Sequence, residues 1–276
     1  MLNYTAASND VVTNGGSIPP VTNSTPVALI IETSGSPSIL ANSNGAALTS
    51  ITLNSGALEA PSTNSVPTNC NVTVNNGNLT FRSSGVNQIN NLLVTGGTVG
   101  MVSNSTIAVN SFLMTGGNLA GPGSNSYWAD HYVFQATNLV GIGVNLDNLG
   151  TLSGYNSSAL ITTNPSGAPV APVVFSASMG YTGGTEILGG ILQLGSSNNL
   201  STISIKGAIT NQGVLNYGYG ITATTLTNEV IGSGIVGQVG TGTLTIGTNA
   251  GTFSNFTGSF GVANGTLAIT DRKSVV

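Results

Sequence analysis

The segment Tyr127-Trp128-Ala129-Asp130-His131-Tyr132-Val133-Phe134 holds the one tryptophan and the one histidine of a 276-residue chain. Exposed aromatic rings stack on the apolar faces of sugars, and a carboxylate or imidazole beside them supplies polar contacts. Tyr127, Trp128, Asp130, His131 and Tyr132 are therefore the candidate ligand contacts. The competing reading is a strand whose aromatics fill a wide section of core. Asp130 and His131 are neighbours, and successive residues of a strand face opposite ways. Strand geometry is thus expected to separate them rather than to form a dyad.

Acid/base or calcium chemistry on a β scaffold needs clustered carboxylates. Asp10, Glu32, Glu59, Asp130, Asp147, Glu186 and Glu229 are scattered instead. Asp130 and Asp147, seventeen apart, approach the separation that a coiled repeat of ~20 residues would superpose. Glycine-rich calcium-binding nonapeptides are missing from the sequence. Gly232-Ser233-Gly234-Ile235-Val236-Gly237 has the spacing of a dinucleotide-binding loop, but that loop works between a strand and a helix. No helical period follows it, and 39 glycines make such a match a product of composition. Cys70, the single cysteine, lies between Asn69 and Asn71 and reads as a small residue near a turn. No catalytic residue, metal ligand or cofactor is expected.

Charged residues are 4% of the chain, against roughly 25% in ordinary globular proteins. Apolar residues reach 39% and mean hydropathy is +0.28, enough to support a core. The net charge of −4 argues against nucleic acid as a partner, because phosphate binding needs clustered Lys and Arg. The apolar run Val27–Ile31 is far too short for a membrane span. Met1-Leu2-Asn3-Tyr4 lacks the regions of an export signal, so a secreted protein would carry that signal outside this segment.

The elements that would position any site come from an internal repeat, apolar-x-apolar-x-x-Gly-x-apolar-x-apolar. It occurs as Ile51, Leu53, Gly56, Leu58, Ala60 and as Val72, Val74, Gly77, Leu79, Phe81. It recurs as Leu92, Val94, Gly97, Val99, Met101 and as Phe112, Met114, Gly117, Leu119. Late copies are Ile187, Gly190, Leu192, Leu194 and Phe260, Val262, Gly265, Leu267, Ile269. Alternation on each side of the glycine predicts two short half-buried strands joined by a tight turn. Between copies lies a third apolar run, such as Val102, Ile107 and Val109. Three strands per ~20 residues predict an all-β fold, a parallel β-helix (solenoid) of 11–13 coils, right-handed by the crossover rule. Asn and Thr at the turns are expected to form uncharged ladders along its axis.

Proline and the clarity of the repeat divide the chain. Residues 1–44 form an irregular N-terminal edge, 45–121 regular coils, 122–180 irregular or decorated coils and 181–270 a second run of coils. Asp271–Val276 holds two of the four basic residues and reads as a translated sequencing adaptor, so truncation at that end is expected.

Tyr181-Thr182-Gly183-Gly184-Thr185-Glu186-Ile187-Leu188-Gly189-Gly190-Ile191-Leu192-Gln193-Leu194-Gly195 resembles the autotransporter-associated β-strand repeat. Its marks are Tyr-Thr-Gly-Gly-Thr, an apolar strand, a Gly-Gly turn and Leu-x-Leu-Gly. Gly240–Ile246 and Phe260–Ile269 resemble flanking or degenerate copies, so the likeness covers the last third of the chain. The resemblance implies a bacterial passenger-type solenoid, extracellular or on the outer surface, structural or adhesive, with no catalytic residues. Surface glycans, a host or neighbouring-cell surface, or self-association are the partners it implies. The alternative is a carbohydrate-active β-helix enzyme or a tailspike-like polysaccharide-binding module.

Overall fold

A computed structural model describes residues 48–148 with the exceptions of Asn64 and Ser103, then 158–162, 171–197, 202–220, 223–247, 253 and 255–269. Before these it describes 10–12, 16–18, 26–33 and 37–40. Every strand pairing among these residues is parallel, and no helix occurs among them. The strands stack into one 13-stranded sheet, one 12-stranded sheet and one 3-stranded sheet. Strands of the first two sheets alternate along the chain. This is a parallel β-solenoid of about ten turns with coils of about 21 residues.

The repeat explains the stack. In Asn71–Val74 and Asn78–Phe81 the residues Val72, Val74, Leu79 and Phe81 are buried while their neighbours face out. Parallel register then places like on like: Ile51 opposite Val72, Val72 opposite Leu92, Leu92 opposite Phe112. On the second sheet Leu58, Leu79, Val99 and Leu119 form the matching column. Each buried aliphatic side chain removed from water contributes about 1.5–3 kcal/mol, and the column makes that gain recur once per coil.

The turn glycines are stacked as well. Gly56, Gly77, Gly97 and Gly117 all have positive φ, between 70° and 98°. A Cβ on Gly97 would collide with the Gly77 carbonyl oxygen, and one on Gly117 would lie 2.7 Å from that of Gly97. Those carbonyls accept from the next coil, Thr98 N–H at 2.8 Å on Gly77 and Asn118 N–H at 2.9 Å on Gly97. Only glycine meets both demands, the backbone conformation and the close approach.

Polar side chains form two ladders on the outside. Asn54 donates to Glu32, Asn75 donates to Asn54, and Thr95 donates to Asn75, at 2.8, 2.9 and 2.9 Å. In the second, Asn90 and Asn91 both donate to Asn71, and Asn110 donates to Asn90. Among the described residues one ion pair joins neighbouring coils, Arg82 to Glu59 at 2.6 Å.

One expectation needs correction. The third apolar run of the early coils is not a separate strand. Ile107 and Val109 belong to the ten-residue strand Ser105–Met114, which pairs throughout with Gly85–Val94. A separate third sheet forms only from Ala223–Leu226, Thr243–Ile246 and Thr266–Ile269. The proline-marked middle, expected as irregular or decorated coils, keeps its register where it is described. Tyr132 pairs with Ala159, and Ile142 with Phe175, so the coil lengthens to 27 and 33 residues without leaving the sheets. Pro172 opens the strand Pro172–Phe175, where it precedes the hydrogen-bonded residues it would otherwise disrupt. The segment 271–276 and most of residues 1–44 lie outside the described residues.

Candidate functional site

The aromatic segment is split by a bend. Ser126–Trp128 and His131–Phe134 are separate strands, and Ala129 and Asp130 lie between them. Both continue the single long strand of the coil before, Tyr127 opposite Ile107 and Tyr132 opposite Phe112. Period-2 alternation restarts after the bend. Tyr127 and Tyr132 therefore both point inward and are fully buried, which removes them from the candidate ligand contacts. Trp128 and Asp130 are half-buried on the outside, and His131 is exposed.

Inside, the rings of Tyr181, Tyr132, Phe112, Phe134 and Phe175 form a connected chain with centroids 5.3–6.1 Å apart. A longer coil encloses a wider section, and aromatic volume fills it. The hydroxyls are satisfied by backbone. Tyr127 Oη donates to Val99 O at 3.1 Å. Tyr132 Oη accepts from the N–H groups of Ala129 and Asp147, each at 3.1 Å. Its one proton is shared between the carbonyls of Tyr127 and Asp147, at 2.5 and 2.6 Å. Tyr181 pairs with Thr185 Oγ1 at 2.8 Å, and Tyr219 bonds both Ile203 N–H and Ile203 O. Burial pushes the phenols of Tyr127, Tyr132, Tyr181 and Tyr217 well above their usual range, and that of Tyr219 to about 12. Burial likewise pushes the Cys70 thiol up to about 12, which keeps it protonated and unreactive.

The bend has a second effect, which overturns the expected separation of Asp130 and His131. Asp130 precedes the strand rather than lying in it, so alternation does not apply. Its Oδ2 lies 3.2 Å from His131 Nε2. The other ring nitrogen, Nδ1, is 3.0 Å from Ser158 Oγ, because His131 and Ser158 are register partners on adjacent coils. Asp147 does not join them. Its carboxylate accepts from Asn145 Nδ2 at 3.3 Å and from Asn148 N–H at 2.9 Å.

His131 and Ser158 stand at one end of an open depression of about 560 Å3 on the outer face of the first sheet. Val133, Leu160, Glu186 and Thr210 line it as a register column, one residue from each of four coils. Gly183, Gly184 and Ala208 leave the space open where other coils carry longer side chains. Among the described residues no group of three or more His, Cys, Asp or Glu is placed to hold a metal ion. No helix among them is long and apolar enough to cross a membrane.

Glu186 stands in the sequence only among scattered carboxylates, and Ser158 has no signal there, because a step near 20 residues does not superpose it on His131, from which the widened coil separates it by 27.

Fold and surface together define a parallel β-solenoid repeat protein with an open groove of mixed polar and apolar lining on one face. No protein-family model, curated protein or solved structure matches the chain.

Proposed function

We propose that this chain is part of a secreted or cell-surface solenoid of the autotransporter passenger type, bacterial and displayed outside the cell, with a structural or adhesive role. The observation that carries the reading is the pair of side-chain ladders, Asn54–Asn75–Thr95 and Asn71–Asn90–Asn110, uncharged except where Glu32 accepts from Asn54, which give a long, repetitive, hydrogen-bonding outer surface. The resemblance of Tyr181–Gly195 to the passenger repeat supports the same reading. Surface glycans or a second copy of the chain are the partners such a surface suits, since neutral amides and hydroxyls recognise hydroxyl-rich or amide-rich ligands without charge steering. Beads coated with the purified full chain are expected to clump or to be retained on glycan-coated plates. Retention should be unaffected by about 0.5 M salt, which screens ionic contacts to a few ångströms. Beads that neither clump nor bind would overturn the proposal.

A second reading, a carbohydrate-active or polysaccharide-binding module, is favoured by the groove. Its lining of His131, Glu186 and the apolar Val133 and Leu160, with Asp130 beside His131, suits a sugar polymer lying across several coils.

A further inference from the structure

We propose that Ser158, His131 and Asp130 form an esterolytic site that removes short acyl groups from a neutral, extended polymer such as an O-acylated polysaccharide. The inference goes beyond the adhesive reading and stands or falls separately from it. It rests on three side chains brought together from two coils and on the groove they open into.

The Asp130 carboxylate lies 3.2 Å from Nε2, and in the tautomer with the proton on that nitrogen the lone pair of Nδ1 accepts the hydroxyl proton of Ser158, 3.0 Å away. A serine hydroxyl becomes a useful nucleophile when such a base takes its proton during attack, and a third group that orients the base completes the set. Asp130 is the positioning residue, while Ser158 and His131 are the groups that meet the substrate.

The chemistry closes without any further reactant except water. Ser158 Oγ adds to the ester carbonyl carbon and its proton passes to His131 Nδ1. The tetrahedral intermediate expels the alcohol oxygen, which takes that proton from Nδ1, and an acyl-serine remains. Water then adds to the acyl carbon with loss of a proton to Nδ1. Collapse releases the carboxylic acid and returns the proton to Ser158 Oγ. Gly183 and Gly184 line the same groove.

The surroundings select the substrate class. His131 is 64% exposed and Asp130 49% exposed, so the site has little of the water exclusion that amide cleavage demands. Esters, with a better leaving group, remain within reach. Val133 and Leu160 offer an apolar strip long enough for a short acyl chain, and the depression is open along its length, so a polymer enters from the side. Glu186 lines the groove and Asp130 lies beside His131, so the nearby charge is negative, which disfavours an anionic chain.

The test uses the full chain with p-nitrophenyl acetate and a fluorophosphonate as probes. The expected result is phosphonylation of Ser158, mapped by peptide mass spectrometry, and ester hydrolysis that falls at least about 100-fold in Ser158→Ala and at least tenfold in His131→Gln. Asp130→Asn is expected to lower kcat with KM little changed, and Asp130→Glu to recover part of the loss, whereas a merely structural role would show neither the split nor the rescue. Because His131 is the only histidine, its acylation by diethyl pyrocarbonate in the unaltered protein gives a readout that needs no variant, and loss of labelling is expected. Absence of both labelling and hydrolysis, labelling at another residue, or a Ser158→Ala variant as active as the parent would each overturn the proposal.

Discussion

Gly97 and Gly100 lie three residues apart on the same coil and answer to different constraints. Gly97 has φ +70° and sits against the Gly77 carbonyl, whereas a Cβ on Gly100 would meet nothing closer than 3.8 Å. Gly97→Ala is expected to cost about 2 kcal/mol or more, because the left-handed conformation is disfavoured and the coil above must lift. Gly100→Ala is expected to change stability by about 0.5 kcal/mol or less, since it adds a methyl group to an open outer face. Urea midpoints of the two variants measure the difference. Tyr132 makes the complementary point for a side chain. Tyr132→Phe keeps the ring against Phe112 but leaves the N–H and C=O groups around its hydroxyl without their partner. A loss of about 2–3 kcal/mol is expected by the same measurement.

At the scale of the element, the outer ladders are additive runs of exposed hydrogen bonds. Asn75→Ala removes one bond to Asn54 and one from Thr95 and is expected to cost about 0.5–1.5 kcal/mol, since such bonds exchange with water. How much of this was legible in the sequence depends on coil length. Where the step is 20 or 21 residues, as from Gly56 to Gly117, the repeat predicted the strands, the turn glycines and the inward residues. Where the coil widens, periodicity failed in two instructive ways. The bend at Ala129 and Asp130 resets alternation, so two tyrosines that looked free for a ligand became core, and an Asp-His pair that looked separated became adjacent. The partner Ser158 was invisible because superposition across the axis is set by the register of the sheet, not by a fixed residue count.

For the whole molecule, charge contributes little to cohesion. Between about 0.02 and 0.5 M salt, where the screening length shrinks severalfold, the melting temperature is expected to move by no more than ~2 °C. Alkali should act strongly. The buried phenols of Tyr127, Tyr132, Tyr181, Tyr217 and Tyr219 ordinarily titrate at 10.0, and the Cys70 thiol at 9.0, but all are raised in the folded chain. Between the two sets of values the unfolded chain holds fewer protons than the folded one, so stability falls as pH rises. Stability is therefore expected to be intact below about pH 9 and to decline above it, with phenolate absorbance appearing together with loss of far-ultraviolet β signal. Phenolate that developed fully before unfolding would contradict the burial of these rings.

Each coil is held chiefly by the coil on either side of it, and that has a mechanical consequence. Pulled by its two ends, such a molecule is expected to unwind like thread from a spool, one turn at a time from an end, rather than to rupture at once. An extended chain spans at most ~3.3–3.6 Å per residue, so each regular turn should release about 65–75 Å of slack, and the widened middle turns about 90–120 Å. A force–extension trace would then display the coil lengths of the protein in their order along the chain, with the long steps marking where the aromatic core lies.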